Sequence, residues 1–349
     1  MAKNDLKKYV GKKVAVAMSG GVDSSVAAYL LKKAGADVFG VTMQIVPWSR
    51  CCLPKDIVMA KVIAHQLGIK HYVINLIKPF KKAAIDYFVR ESRRGRNPNP
   101  CVPCNLEIKF GALMKAAAAK GAEFFATGHY ARLENGKLKR PKDVKKDQSY
   151  VLGMLPKEIF KKLIFPIGDY TKENVRKIAA KAKIPAAEKP GNQDLCFLNM
   201  EKGNFIEDWS KKKNKPGNIV DNKGKSLGKH EGIVHYTVGQ RRGLGLNTQE
   251  KLYVTEVDAG KNRIVVGAAG ELFRKDFYVD DVNWLTDAPK KLMNVDVLVR
   301  NKAEPQKAKI LIAGNQVKVT PAKPIWAVSP GQIAVFLKGD VVLGGGWIL

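Results

Sequence analysis

The sequence has few acidic residues and no long apolar stretch. Asp and Glu number 32 against 61 Lys and Arg, which gives a formal net charge of +29. This excess is typical either of a generally basic proteome or of a polyanionic partner, because basic side chains that neutralise phosphates release counterions. No run approaches the roughly eighteen apolar residues that a membrane-spanning helix needs, and the start "MAKNDLKKYV" lacks the apolar stretch of a signal peptide. We therefore expect a cytoplasmic protein without a membrane partner.

Cysteine is also scarce, and its spacing excludes some roles. Five cysteines, an odd number, in a chain without an export signal argue against a disulfide framework and favour redox, metal or nucleophilic use. Cys101 and Cys104 form a Cys-x-x-Cys pair, but no second pair follows to complete a four-ligand zinc site. One isolated cysteine, Cys196, lies downstream. The adjacent Cys51 and Cys52 are predicted to be a partly buried pair without a chemical role.

The two commonest nucleotide-binding motifs are absent. The only Gly-Lys-Ser in the chain, at 224–226, has Ile219 where the Walker pattern requires its first glycine. A Rossmann G-x-G-x-x-G is absent too. A nucleotide site of either kind is excluded.

A different phosphate site is present in "MSGGVDSSVAAYLL", which follows the apolar run "VAVAM". A strand that ends in a glycine-rich turn and starts a helix points successive backbone N–H groups at one spot, where the helix dipole also favours negative charge. The hydroxyls of Ser19, Ser24 and Ser25 are expected to add donors. Asp23 is either a helix cap or a neighbour of the bound phosphate.

The remaining pattern predicts three domains. From Lys12 to about Leu198, strand-like and helix-like segments alternate, which indicates an open α/β domain with a parallel sheet covered on both faces. Short segments such as "GNIV", "GIVHYTVGQ", "LYVTEVD" and "NRIVVG" then predict a β-rich module, and "NVDVLVR", "AKILI", "QVKVT" and "IAVFL" predict a small β-barrel. The predicted domains are 1–201, 202–274 and 275–349.

The loop "RGRNPNPCVPCN", Arg94 to Asn105, carries the Cys-x-x-Cys pair. Its prolines predict a stiff loop that leads into a helix capped by Asn105. A thiol near a helix start and flanked by arginines is expected to have a lowered pKa and to be nucleophilic. The predicted nucleotide site lies where Ser19, Met43 and Gly128 follow or end strands, because the carboxyl ends of parallel strands converge.

These motifs resemble two nested families. "SGGVDSS" resembles the pyrophosphate-binding loop of the N-type ATP pyrophosphatases. Together with "GRNPNPCVPCN", "ATGHYAR", "KDQSYVL", "QDLCF", "HYTVGQRRGLG" and the ending "AVSPGQIAVFLKGDVVLGGG", it is similar to the tRNA-specific 2-thiouridylase family. The resemblance runs in order along essentially the whole chain.

The resemblance implies a substrate, a reaction and a set of residues. The enzyme would use ATP and Mg²⁺ to adenylate the C2 oxygen of the tRNA wobble uridine, and a sulfur-donor protein would load a persulfide on Cys196. Attack at C2, assisted by the nucleophile Cys104, would give 2-thiouridine, AMP and a Cys104–Cys196 disulfide. Asp23 would lie beside the pyrophosphate and its magnesium. The implied ATP-binding residues are Ala17, Met18, Ser19, Gly20, Gly21, Val22, Asp23, Ser24, Met43 and Gly128. The implied tRNA-binding residues are Asn99, Pro100, Cys101, His129, Lys146, Asp147, Gln148, Arg300, Asn301 and Gln332.

One departure from the family pattern opens a second mechanism. Many members have Asp where this chain has Cys101. Cys101, Cys104 and Cys196 could then hold a [4Fe-4S] cluster whose fourth iron binds sulfide, in place of the persulfide relay.

Two other functions remain open from the residues. One is another ATP pyrophosphatase, such as an amidotransferase-type synthetase or a tRNA lysidine synthetase, which would not need Cys104 or Cys196. The other is an RNA-binding protein with a vestigial nucleotide site, which would bind tRNA without converting ATP to AMP.

Overall fold

The structure is a computed structural model that describes residues 6–185, 195–289, 291–301 and 303–349. Part of the "QDLCF" motif, Gln193 and Asp194, lies outside these residues. In the part of the chain that is described, no helix combines the length and the apolar character needed to cross a membrane.

The first domain contains the predicted parallel sheet, with five strands in the order β3-β2-β1-β4-β7. Successive side chains of β1 bury on opposite faces, with Val14 and Val16 in one apolar cluster and Ala15 in another. The chain order reverses between β1 and β4, so the turn after β1 lies at a switch point, where ligands bind in open α/β sheets. The strands are β1 (Lys13–Ala17), β2 (Asp37–Gln44), β3 (Lys70–Asn75), β4 (Phe124–Thr127) and β7 (Leu163–Ile164).

Helices cover both faces of this sheet, and two of them contain π-helical segments. Lys81–Asp86 is π-helical between α3 and α4, and Cys104–Leu113 is π-helical between α5 and α6. The α-helices are α1 (Val22–Lys33), α2 (Pro54–Gln66), α3 (Ile77–Phe80), α4 (Tyr87–Arg93), α5 (Cys101–Pro103), α6 (Met114–Ala118), α7 (Ser149–Leu152), α8 (Lys172–Lys181) and α9 (Lys202–Ser210).

The central module is a four-stranded sheet in the order β10-β11-β8-β9. Its strands are β8 (Gly217–Val220), β9 (Ser226–His230), β10 (Tyr253–Asp258) and β11 (Arg263–Gly267). The prediction of a strand at "GIVHYTVGQ" is wrong. The chain there forms a short 3₁₀ helix, Ile233–His235, because the backbone N–H groups of His235 and Tyr236 bond to nearby carbonyls rather than to a neighbouring strand.

The last domain contains a closed antiparallel barrel of six strands in the order β13-β16-β15-β14-β18-β19, closed by pairing of β13 with β19. The barrel was expected from four of its strands. β19 escaped prediction because it carries three consecutive glycines; a Cβ on Gly346 would lie 2.6 Å from the carbonyl oxygen of Asp280. The strands of this region are β12 (Phe273–Arg274), β13 (Phe277–Trp284), β14 (Met293–Leu298), β15 (Gln306–Ala313), β16 (Gln316–Pro321), β17 (Ile325–Trp326), β18 (Ile333–Lys338) and β19 (Val341–Ile348).

The barrel contacts the first domain on two sides. A hairpin of β5 (Arg132–Glu134) and β6 (Lys137–Lys139) extends the barrel sheet by pairing β6 with β19. On the other side, the backbone N–H of Asn97 donates to the carbonyl of Pro330 at 2.8 Å. The loop that carries the Cys-x-x-Cys pair is thereby held by both domains. The boundaries predicted after residues 201 and 274 stay a prediction.

Candidate active site

The carboxyl ends of β1, β2 and β4 surround a cleft of about 210 Å³. Seven of the ten predicted ATP-binding residues line it, together with two predicted tRNA-binding residues and five residues that were not predicted. The predicted ones are Ala17, Met18, Ser19, Asp23, Ser24, Met43, Gly128, His129 and Gln148, and the others are Val41, Cys52, Lys109, Leu113 and Thr127. The strand ends that are far apart in sequence therefore converge as expected.

Gly20, Gly21 and Val22 form the bend of the loop rather than the wall of the cleft. Gly20 has a φ of +69°, which favours glycine, and a Cβ there would collide with the backbone of Asp56. Gly21 precedes the first residue of α1, Val22, so the bend directs the N-terminal N–H groups of the helix towards the cleft.

The loop is held by hydrogen bonds among its own residues. The hydroxyl of Ser24 accepts from the backbone N–H of Ser19 at 3.1 Å and donates to the carbonyl of Gly21 at 3.1 Å. The hydroxyl of Ser25 donates to the same carbonyl at 2.8 Å, and its residue is fully buried. The expectation that Ser25 donates to phosphate is therefore wrong: it braces the loop, while Ser19 and Ser24 line the cleft.

Gly128 brings the end of β4 against this loop. A Cβ at Gly128 would lie 2.6 Å from the backbone nitrogen of Ser24 and 2.7 Å from the carbonyl carbon of Asp23. Both are backbone atoms that cannot rotate away. Glycine is the residue that allows this close approach.

Asp23 is held by two residues that the sequence did not identify. The Nζ of Lys172 lies 2.7 Å from both carboxylate oxygens of Asp23, and the hydroxyl of Tyr130 donates to one of them at 2.8 Å. Burial and the neighbouring carboxylate raise the pKa of Tyr130, so its hydroxyl stays protonated and donates. Lys172 is the first residue of α8, directly after the cap Thr171. Lys172 does not line the cleft itself, but its cation lies beside Asp23, which does.

The Cys-x-x-Cys loop enters its helix differently from the prediction. The helix begins at Cys101, where the side chain of Asn99 accepts from the backbone N–H of Cys101 at 3.1 Å. Asn105 is not the cap; it lies inside the helical segment and donates its side-chain amide to the carbonyl of Cys101 at 2.7 Å. The predicted contact residue Pro100 precedes the first helical residue. Asn99 thus satisfies one of the donors that every helix start leaves free.

The π-helical winding after Cys104 explains a residue that sequence reasoning missed, Lys109. Lys109 is five positions after Cys104, and a π-helix bonds residues five apart, so both lie towards one face. In an α-helix of 3.6 residues per turn they would point in different directions. Lys109 lines the cleft and interacts electrostatically with four thiols: Cys51, Cys101, Cys104 and Cys196. These thiols raise the pKa of Lys109 although burial opposes this, so its charge is retained.

The prediction of a low thiol pKa is wrong for both cysteines of the pair. Burial raises the pKa of Cys104 to about 12, because the residue is only 8% exposed, and Lys109 opposes this only in part. Desolvation by the surrounding protein also raises the pKa of Cys101, again against Lys109, although the residue as a whole is exposed. The flanking arginines do not counter the effect, since Arg94 and Arg96 pair with the buried carboxylate of Glu91 at 3.1 and 3.3 Å. Their charge is used to hold the loop start.

The adjacent pair Cys51 and Cys52, which was expected to lack a chemical role, lies at the site. Cys52 lines the cleft, and the thiol of Cys51 is hydrogen-bonded to that of Cys196. The backbone also joins these segments, since the N–H of Arg50 donates to the carbonyl of Cys196 at 2.7 Å. Cys51, Cys101, Cys104 and Cys196 therefore all lie within electrostatic range of Lys109, and we call these four residues the thiol cluster.

The arrangement of the thiol cluster does not match a metal site. Across the described ranges, no three His, Cys, Asp or Glu side chains are grouped so that they could hold a metal ion. Cys101, Cys104 and Cys196 as placed are therefore not a ready ligand set for a [4Fe-4S] cluster.

Apart from Asn99, Pro100 and Cys101 at the helix start, the predicted tRNA-binding residues lie at or near the cleft and two further cavities. His129 and Gln148 line the cleft; burial and Lys109 hold the pKa of His129 well below its usual value, so this imidazole is neutral. Gln148 accepts from the backbone N–H of Tyr130 at 2.9 Å, and Lys146 ends a short 3₁₀ helix just before it.

Asp147 and Asn301 line a second cavity, of about 540 Å³, between the first domain and the barrel. The carboxylate of Asp147 is already engaged by Arg140 and by the backbone N–H of Ser149. Its role in the structure is to hold this segment.

Arg300 and Gln332 line a third cavity, of about 230 Å³, beside Asn97. Gln332 donates to the carbonyl of Asn97 at 2.7 Å, and the guanidinium of Arg300 stacks on the ring of Trp326 at 5.4 Å from its centroid. Two residues distant in sequence are thus placed directly beside the start of the Cys-x-x-Cys loop.

Comparison with known families divides the chain in the same order. A tRNA methyl transferase HUP domain matches residues 12–200, a tRNA methyl transferase PRC-barrel domain matches 203–268, and an aminomethyltransferase β-barrel domain matches 274–348. Two of these domain names contain the words methyl transferase, but the relatives that match over nearly the full length have a different name.

Curated relatives match over nearly the full length. Proteins named tRNA-specific 2-thiouridylase MnmA from Clostridium acetobutylicum and Carboxydothermus hydrogenoformans are each 42% identical to this chain. The matches cover 97% of this chain in both cases, and 100% and 97% of the relatives. Among solved structures, a 4-thiouridine synthetase–RNA complex with bound ATP aligns with a TM-score of 0.35 and 18% identity over 52% of this chain and 43% of that one, which is too distant to support an argument.

Proposed function

Because this chain belongs to the tRNA-specific 2-thiouridylase family, we propose that it thiolates C2 of the wobble uridine of tRNA in an ATP-dependent reaction that uses the cleft and the thiol cluster together. The observation that carries the proposal is their adjacency: Lys109 lines the phosphate-binding cleft and also interacts with four thiols. An activated base held in the cleft would lie beside its sulfur source.

The cleft would bind ATP and orient its phosphates. The hydroxyl of Ser19 and the backbone N–H groups at the start of α1, Ser24 included, supply hydrogen-bond donors. Lys172, which is paired with Asp23, supplies a charge. Mg²⁺ fits this site, since one carboxylate plus substrate phosphates is a common way to hold it, and Asp23 is that carboxylate. In such a complex Lys172 would be free to turn from Asp23 towards a phosphate.

The thiol cluster would supply the sulfur. The terminal sulfur of a Cys196 persulfide attacks C2 of the adenylated base, and AMP leaves with the C2 oxygen. The thiolate of Cys104 then attacks the Cys196 Sγ, the S–S bond to the transferred sulfur breaks, and that sulfur stays on C2. The products are 2-thiouridine, AMP and a Cys104–Cys196 disulfide. Lys109 stabilises the thiolates that this sequence requires.

The target base must leave its stack to enter the cleft, which anticodon nucleotides do at low cost because they are single-stranded. The Asn99–Cys101 segment, Lys146 and the surface around Arg300 are the proposed contacts outside the cleft. A separate sulfur-donor protein and a cytoplasmic location remain predictions.

Incubation of the protein with ATP, Mg²⁺, a persulfide donor and unmodified tRNA tests the proposal. Mass spectrometry of the digested tRNA should find 2-thiouridine in step with pyrophosphate release, and Asp23→Ala should lose both. Pyrophosphate release with a lysine-modified base would instead indicate the lysidine synthetase alternative, which the relatives do not favour. Binding of tRNA without AMP formation would indicate an RNA-binding protein only.

The [4Fe-4S] alternative is tested separately. Protein purified without oxygen is analysed for iron and acid-labile sulfide. Iron-free protein that is fully active excludes the cluster mechanism, whereas activity that tracks iron content would contradict the persulfide route.

A further inference from the structure

Cys51 is the thiol in direct contact with the proposed persulfide carrier. Its side chain is hydrogen-bonded to Cys196, and the neighbouring backbone N–H of Arg50 donates to the carbonyl of Cys196 at 2.7 Å. The two sulfurs are therefore held together by both side chain and backbone. Cys51 also interacts electrostatically with Cys104 and Cys101.

The members of the thiol cluster differ in their access to solvent. Cys104 is buried, at 8% exposure, whereas Cys51 is exposed and Cys196 is intermediate. Under the proposed function, each turnover leaves a disulfide between Cys104 and Cys196. A reductant must approach one sulfur of a disulfide in line with the bond. A disulfide that includes the buried Cys104 is poorly placed for such an approach.

We propose that Cys51 is a resolving thiol, which moves the disulfide from the buried Cys104 to an exposed position and so allows the enzyme to be reduced. The inference rests on the proposed function, because that function generates the disulfide. The sulfur of Cys51 attacks the Sγ of Cys196 and forms a Cys51–Cys196 bond. The Cys104–Cys196 bond breaks, and Cys104 leaves with its electron pair and takes up the proton that Cys51 gives up.

The exchange is balanced without an added oxidant, since one thiol and one disulfide become another thiol and another disulfide. An external dithiol then reduces the Cys51–Cys196 disulfide. Lys109 interacts with all three sulfurs that take part, Cys51, Cys104 and Cys196, so its charge stabilises the thiolate wherever it forms.

Cys101 is the competing candidate because it is exposed as well. The groups that shift the pKa of Cys101 include Cys51, through an electrostatic interaction, but no hydrogen bond to Cys196. Resolution by Cys101 would produce a disulfide between Cys101 and either Cys104 or Cys196, and both products are distinguishable by mass from a Cys51–Cys196 disulfide.

The experiment is a single turnover without reductant. The protein is loaded with a low-molecular-weight persulfide, mixed with ATP, Mg²⁺ and tRNA, and quenched with acid; free thiols are alkylated and the disulfides are mapped by peptide mass spectrometry. We expect one 2-thiouridine per enzyme and a Cys51–Cys196 disulfide in wild type. Cys51→Ser should complete this turnover, retain a Cys104–Cys196 disulfide, and slow later turnovers with a dithiol about tenfold or more.

Other results would overturn the inference. Thiolation with a Cys104–Cys196 disulfide as the end product in wild type, with any disulfide that contains Cys101, or with no disulfide would each exclude Cys51 as the resolving thiol. Equal later turnovers in wild type and Cys51→Ser would also exclude it. Absence of both pyrophosphate and 2-thiouridine is a different failure, because it removes the proposed function itself.

Discussion

The phosphate-binding loop and the thiol cluster face the same cleft but are built in different ways. The loop is one continuous segment, Ala17 to Ser25, that is braced by its own hydroxyls. The thiol cluster is assembled from three segments, around residues 51, 101–104 and 196, and meets at Lys109. The loop is a local structure, whereas the cluster exists only after the domain has folded.

The function of the loop depends on its geometry, whereas the reactivity of the thiol cluster depends on the charges around it. Hydrogen bonds within the loop place its donors before ATP binds, which is the arrangement that stabilises developing charge most effectively. In the cluster, burial and a cation act in opposite directions on the same thiol, and burial is the stronger effect for Cys104. The loop can therefore be understood from its shape alone, but the cluster requires the balance of charge around it.

The largest expected effect separates the chemistry of the phosphate-binding loop from that of the thiol cluster. Cys104→Ser and Cys196→Ser should each lower thiolation on the order of 10³-fold or more, because the nucleophile or the persulfide carrier is lost. Binding of tRNA should survive, and one equivalent of pyrophosphate per enzyme should still be released, since adenylation needs only the loop. A stopped assay that measures pyrophosphate and 2-thiouridine in the same sample checks this. Loss of pyrophosphate release in Cys104→Ser would show that adenylation at the loop depends on the thiol cluster.

The next effect tests the loop without touching a thiol. Gly128→Ala would place a Cβ 2.6 Å from the backbone nitrogen of Ser24, so the loop must shift. Overpacking of about 1–3 kcal/mol corresponds to roughly 5- to 150-fold weaker ATP binding. Gly270→Ala is the matched control, because a Cβ there meets no heavy atom within 4 Å. Titration with ATP should find a loss only in Gly128→Ala, while persulfide loading of Cys196 stays normal in both. Equal ATP affinity in Gly128→Ala and wild type would contradict the close packing.

The same contrast explains which features of the structure could be predicted from the sequence. The parallel sheet, the barrel and the loop follow from local patterns of apolar residues and glycine, which is why they were predicted. Lys172 and Tyr130 were not, because their contacts with Asp23 span 149 and 107 residues of sequence. Lys109 could not be identified from an α-helical period, which would place it on a different face from Cys104. The π-helical winding places both residues towards one face.

The error about the thiol pKa has a similar cause. The arginines beside the Cys-x-x-Cys pair are visible in the sequence, but their partner Glu91 and the depth of Cys104 are not. Residues that are adjacent in sequence need not place their charges close together in the folded chain. In the folded chain the nearest relevant cation is Lys109 instead.

A third effect tests the balance of charge in the cluster. The thiolate is the reactive form, and a Cys104 pKa of about 12 lies above the assay range, so the single-turnover rate of sulfur transfer should rise from pH 7 to pH 9. Lys109→Met removes the cation that opposes burial, which raises the pKa further and should lower the rate at pH 7 by about tenfold or more. Lys115→Met, on the exposed side of the following helix α6, should leave the rate unchanged. A wild-type rate that is flat between pH 7 and pH 9 would instead favour the ionised thiol that the sequence predicted.

The smallest expected effect concerns Arg300, which lies outside both the phosphate-binding loop and the thiol cluster. Arg300 stacks on Trp326 beside the start of the Cys-x-x-Cys loop, so Arg300→Ala should weaken tRNA binding about three- to tenfold and reduce its dependence on salt, with kcat unchanged. Arg300→Lys keeps the charge but loses the planar stacking, and its affinity should lie between the two. Filter binding at several salt concentrations, together with steady-state kinetics, measures both quantities. A fall in kcat without a change in tRNA affinity would mean that Arg300 positions the Cys-x-x-Cys loop, and then the thiol cluster would depend on the barrel as well as on the first domain.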